Sequence, residues 1–171
     1  MLKTEFADEE IPEAGSNEYM QGDQFDPDAE LVFDQPEIMP EGFYAAKLVD
    51  IQSAGGPTTT EWYCNYYFVV TEEGEWRNKS LPQFLTFIKE GKVKNVQWIN
   101  DDVLRALKAR EIPHPTIPGR MQWKAKPSEL LGRAVILYVI HNTWEGRTTA
   151  KIKKVLPPDE RAEELAENFV I

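Results

Sequence analysis

The segment EWYCNYYFVV, residues 61–70, places five aromatic side chains in ten positions. On a strand, successive side chains take opposite faces. One alternate set, Trp62, Cys64, Tyr66, Phe68 and Val70, is apolar enough to be a core face. The other, Tyr63, Asn65, Tyr67 and Val69, carries two phenols and an amide, and we assign it to the outside. Tyr63 and Tyr67 then stand roughly 13 Å apart on one face at strand rise. Exposed rings can stack flat ligands, and each base–aromatic stack is worth about 1–3 kcal/mol whatever the base. The competing reading is that this face is covered, by an acidic tail or by a second copy in a homodimer, since strand aromatics are often simply packed.

Basic residues cluster around these rings. Arg77 and Lys79 open the next predicted strand on one face, and Lys89, Lys92 and Lys94 follow it. Arg147, Lys151 and Lys153 alternate on the last predicted strand, with Ile152 pointing the other way. Each alone reads as solvated surface; together they form a set suited to phosphate contact, the source of most sequence-independent affinity. Trp76 and Trp144 fall at predicted loop tips, where burial is hard to arrange, and Trp144, beside Gly146 and Arg147, is the better ligand candidate.

Catalytic signatures are absent. The chain has no Walker loop, no G-x-S-x-G and no H-E-x-x-H. His114 lies between prolines and His141 in a predicted strand, so both read as structural rather than catalytic. The acidic run DQFDPDAE, residues 23–30, lacks the glycine and the twelfth-position glutamate of a calcium loop. Cys64 is the single cysteine, which excludes an intramolecular disulfide and a thiolate metal cluster. No enzyme activity, metal or cofactor is expected.

These side chains need elements to hold them. A chain of 171 residues makes one domain with tails. Residues 1–36 combine low hydrophobicity with like charge and read as a largely disordered acidic arm, docking locally through Leu31, Val32 and Phe33. The body, residues 37–157, opens with a strand over residues 43–52, and the Gly- and Pro-containing loop 53–60 should be mobile. The aromatic strand follows, then a third strand over residues 77–87 that Pro82 confines to an edge or bulge. A helix over residues 100–111 is signalled by Asn100 as cap, Asp101 and Asp102 in its first turn, and Pro113 as its stop. Residues 112–119 read as a stiff connector. Residues 132–144 and 148–156 form two strands joined by a hairpin loop. Strand, strand, strand, helix, strand, strand is the element order of the OB-fold, shared by other small β-barrels with one helix. We therefore expect a mainly β, OB-like five-stranded barrel, whose second and third strands would bind oligonucleotides.

The net charge of −10 argues against a nucleic-acid partner only as an average. Residues 1–41 carry −12, residues 42–155 carry +6, and residues 156–171 carry −4. The chain is a basic body between two acidic tails. No apolar run approaches the roughly 18–20 residues of a membrane span, and the acidic N-terminus is not a signal peptide. A cytoplasmic protein with no membrane partner is expected.

PEGFYAAKLVDIQ followed by EWYCNYYFVVTEEGEWRNKSL resembles a family of small phage single-stranded DNA-binding proteins. DDVLRALKAREIP and SELLGRAVILYVIHNTWEGR look like the family's helix and its fourth strand with hairpin. The resemblance covers roughly residues 36–156 and departs from the family in the long acidic arm and in the extra stretch 88–99. It implies sequence-independent single-stranded DNA binding in phage replication or recombination, within the host cytoplasm. The tail, residues 158–171, also looks like the acidic, apolar-tipped ending of bacterial and phage single-stranded DNA-binding proteins. That likeness implies that Phe169, Val170 and Ile171 engage a polymerase, helicase or recombinase. Two rival readings stay open: an acidic DNA mimic that inhibits a host factor, and an assembly protein that never touches nucleic acid.

Overall fold

The computed structural model describes residues 26–158. The expected tail contacts of Phe169, Val170 and Ile171 therefore lie outside the described residues, as do residues 1–25. Two compact units divide the chain, Met1–Glu37 and Ile38–Ile171. In the first, residues 26–37 hold no helix or strand, and Asp26 closes a tight turn by accepting the Asp28 N–H at 2.9 Å. Leu31, Val32 and Phe33 are exposed.

The second unit runs β1 (Gly42–Gly55), β2 (Trp62–Val70), β3 (Ser80–Lys89), β4 (Lys92–Val93), α1 (Gln97–Ala106), β5 (Arg110–Pro113), β6 (Met121–Lys124), α2 (Pro127–Leu130), β7 (Ala134–Trp144) and β8 (Arg147–Leu156). Of the described residues, 48% are in strands and 11% in helices. One antiparallel sheet has the order β4-β3-β2-β1-β7-β8, and β5-β6 forms a second, two-stranded sheet. The mainly β expectation holds at that level, but the large sheet is not closed into a barrel. Its long outer strands β3 and β8 come into contact, yet no ladder joins them among the described residues.

Period-two patterning builds the core. Tyr66, Phe68 and Val70 of β2 are buried, and Trp62 and Cys64 pack partly buried against the same cluster. Ala46 and Leu48 from β1 and Val135, Leu137 and Val139 from β7 complete the inner face. Helix α1 covers it from the side of β8 and β3, burying Val103 and Ala106, with Leu107 directly after. Buried side chains of this kind each stabilise the fold by roughly 1.5–3 kcal/mol relative to exposure.

The helix differs from its sequence signals. It starts at Gln97 behind Val96, with no side-chain cap, and ends at Ala106. Asn100 is inside it, because its Oδ1 accepts the Tyr66 hydroxyl at 2.7 Å and is not available as a cap. Lys108 adopts a left-handed φ of 58°, which breaks the helix ahead of Pro113. Arg110 and Pro113 belong to β5, and the predicted connector is the end of that strand and the turn of a hairpin in which the His114 N–H donates to the Arg120 carbonyl at 2.8 Å.

The β1–β2 loop is tied down rather than free. The Thr59 hydroxyl accepts the Gly56 N–H at 3.0 Å and lies 2.6 Å from the Glu61 carbonyl, while the Gly91 N–H donates to the Thr60 carbonyl at 3.0 Å. Gly55 enters this loop at φ +80°, and a Cβ there would sit 2.0 Å from the Glu61 carbonyl oxygen. Gly55→Ala therefore combines a left-handed penalty of about 1–2 kcal/mol with a backbone clash. Urea unfolding of Gly55→Ala should show a loss above that range, whereas Gly56→Ala, with nothing within 4 Å of the added Cβ, should stay near wild type. Equal midpoints for the two variants would show that the loop can relax.

Candidate nucleic-acid interface

The solvent face of β2 carries Tyr63, Asn65 and Tyr67, as the alternation predicts. Pairing with β1 and β3 sets their neighbours. Tyr63 lies between Ala54 and Thr86, Asn65 between Gln52 and Phe84, and Tyr67 between Asp50 and Pro82. Ala54, Thr86 and Pro82 are short side chains, and with them as neighbours both tyrosines are half-buried. β4 pairs with β3 only at Ile88 and Lys89, so Pro82 sits on a free edge, where a missing N–H is tolerated.

Phe84 completes the row. It is 62% exposed, lies diagonally between the two tyrosines, and meets Tyr67 edge-on at 6.1 Å. Sequence reasoning missed it, although the alternation Pro82, Phe84, Thr86 against Leu81, Leu85, Phe87 was available to find it. A large apolar ring left in water has no folding advantage there. A shallow groove of about 300 Å³ runs along Tyr63, Asn65, Phe84 and Thr86, with Lys89 and Glu61 at its margins.

Two tight hairpins carry further candidates. Lys89 and Lys92 face each other across Glu90-Gly91, whose φ values are 53° and 76°. Trp144 and Arg147 face each other across Glu145-Gly146, at 50° and 74°. Both central residues left-handed is the type I′ signature that matches strand twist. Lys94 follows the first hairpin, and all three lysines are exposed. Trp144 is 71% exposed. Arg147, Thr149 and Lys151 alternate along β8. Tyr63, Tyr67, Lys89, Lys92 and Lys94 are thus gathered on β2, β3 and β4, whereas Trp144, Arg147 and Lys151 lie beyond β1 on β7 and β8.

Three sequence assignments change. Arg77 and Lys79 do not open β3; they lie in the preceding turn, where Asn78 takes φ 73° and its N–H donates to the Val70 carbonyl at 2.9 Å. Arg77 pairs there with Glu73 four residues back, on the exposed surface. Lys153 stays exposed next to the buried Ile152, although the ladder skips it at a bulge opposite Tyr138 and Val139. Trp76 packs partly buried against the core instead of standing at a loop tip.

The two faces of β2 differ in chemistry. On the inner side, burial pushes the Cys64 thiol up, with the Tyr66 hydroxyl partly offsetting it. Burial, reinforced by Cys64, pushes the Tyr66 phenol far above its ordinary range. That phenol is a neutral donor to Asn100, not an acid. His141 also has a structural partner, since its Nε2 lies 2.8 Å from the Met39 carbonyl and its N–H donates to Glu41 at 2.7 Å. Among the described residues no helix is long and apolar enough to cross a membrane. No protein-family model and no curated protein matches the chain.

Proposed function

We propose that the chain is a single-stranded DNA-binding protein without catalytic activity. The observation that carries this reading is the row of three rings on the solvent face of two paired strands, with Phe84 exposed and Tyr63 and Tyr67 half-buried. Bases unstacked from a duplex can lie on such rings, and the energy does not depend on base identity. The exposed Lys89, Lys92 and Lys94 beside the row suit the phosphates, as does the +6 charge of residues 42–155.

The strand order supports an OB-like reading of the open sheet. β1 pairs with β2 and β7, β2 with β3, and β7 with β8, and α1 falls between β3 and β7. OB-folds are only partly closed, and they bind along strands two and three together with the loops joining strands 1–2 and 4–5. Here those positions correspond to the ring row, the Gly56–Glu61 loop and the Trp144–Arg147 hairpin. The role in phage replication or recombination, and tail-mediated capture of a polymerase, helicase or recombinase, rest on the family resemblance.

Titration of the purified chain with oligo-dT at two salt concentrations tests the reading. Binding should quench tryptophan fluorescence and weaken as salt rises, in proportion to the phosphates neutralised. Lys89→Ala and Lys92→Ala should each lower the salt slope by about one. Duplex DNA should compete poorly, because its bases cannot reach the rings. Equal affinity for duplex would overturn the stacking mechanism, and absence of binding at either salt would favour the acidic-mimic or assembly readings.

A further inference from the structure

A second concavity, about 780 Å³, shares no lining residue with the ring row. It lies between α1, the β5–β6 hairpin and the inner ends of β2 and β3, and its size is that of a small-molecule site. Its side chains are held in place by one another. Trp62 and Phe87 stack at 4.6 Å between centroids. The Trp123 indole N–H donates to Asp101 Oδ1 at 3.0 Å, and the same oxygen accepts Gln97 Nε2 at 3.0 Å. The Arg105 guanidinium stands 5.8 Å above the Trp123 ring.

The polar atoms left over have a definite sense. Asn100 Oδ1 is occupied by the Tyr66 hydroxyl, so its NH2 group is the end that remains to donate. His114 Nδ1 accepts the backbone N–H groups of Thr116 and Ile117 at 3.1 and 3.0 Å. The neutral ring therefore carries its proton on Nε2, as a donor. Gln97 keeps its carbonyl as an acceptor. Arg120 and Gln122 are exposed on the groove, with no side-chain partner among the described residues. Asp101 and Glu111 also line it, so the two arginines do not make a bare anion site.

Stacking rings, amide and imidazole groups of both senses, and an unpaired guanidinium together fit a planar heterocycle bearing a phosphate. We propose that this groove binds one nucleotide, its base against Trp62 and Trp123 and its phosphate toward Arg120. The nucleotide comes either from the strand held on the ring row, a source that rests on the single-strand reading, or from free nucleotide.

The test follows the indole N–H proton resonance of Trp123 while deoxynucleoside monophosphates are added to the full chain. The resonance should shift saturably, and Arg120→Ala should weaken the effect by about tenfold, the loss of one charge-assisted contact. Gln122→Ala should weaken it less, and the double variant Tyr63→Ala/Phe84→Ala should leave it unchanged. If the strand is the source, oligo-dT shifts the same resonance; if free nucleotide is, only the monophosphates do. A nucleotide shift that persists while oligo-dT fails to bind would sink the ring-row reading and leave the groove standing. The proposal is overturned if no monophosphate moves the resonance, if inorganic phosphate alone reproduces the shift, or if Arg120→Ala and Gln122→Ala both respond like wild type.

Discussion

The double variant Tyr63→Ala/Phe84→Ala should weaken oligo-dT binding by about 2–6 kcal/mol, the sum of two stacking contributions, which is at least thirtyfold in affinity at about 1.4 kcal/mol per decade. The salt slope should stay nearly unchanged, because no phosphate contact is removed. The folding cost should be small beside that of a core truncation, since Phe84 is 62% exposed and Tyr63 is only half-buried on the solvent face. Tyr67→Ala should cost the fold somewhat more, because that ring meets Phe84 edge-on and its hydroxyl lies 3.4 Å from Gln52 Oε1. Fluorescence titration at two salts, with thermal unfolding of the same samples, separates these effects. Wild-type affinity in the double variant would remove the ring row from the mechanism.

Phe68→Ala should be the costliest single truncation for folding. Phe68 is fully buried and faces Leu48 on one neighbouring strand and Leu81 on the other, both of them in the core. Removing a buried phenylalanine typically costs about 3–5 kcal/mol. Against the 5–15 kcal/mol that stabilises an ordinary domain, that is about a fifth or more of the total. Trp62→Ala should cost less, because Trp62 is only partly buried at the margin of the same face. Urea unfolding should show a lower midpoint for Phe68→Ala with little change in slope. A larger loss in Tyr63→Ala than in Phe68→Ala would mean that β2 faces the other way.

Alternation along β2 was legible in the sequence because it is local. Once residues 61–70 are extended, one set of side chains must face opposite to the other, and only Trp62, Cys64, Tyr66, Phe68 and Val70 could be buried together. The hairpin at Glu145-Gly146, the edge position of Pro82 and the division of charge are local in the same sense. The sequence alone therefore determined a mainly β body with an aromatic solvent face. Tertiary structure decided what depends on distant partners. Asn100 serves Tyr66 rather than a helix end, and Trp76 finds the core. Residues 110–124 pair as a hairpin whose prolines concealed it. A bulge left Lys153 unpaired in the β8 ladder, and Arg77 met Glu73 in a turn. Phe84 joined the ring row only once β3 had its register against β2, and the sheet stayed open because no ladder formed between β3 and β8. Periodicity specifies which side chains share a face; register, bulges and closure arise from contacts between strands far apart in the chain, which no local pattern encodes.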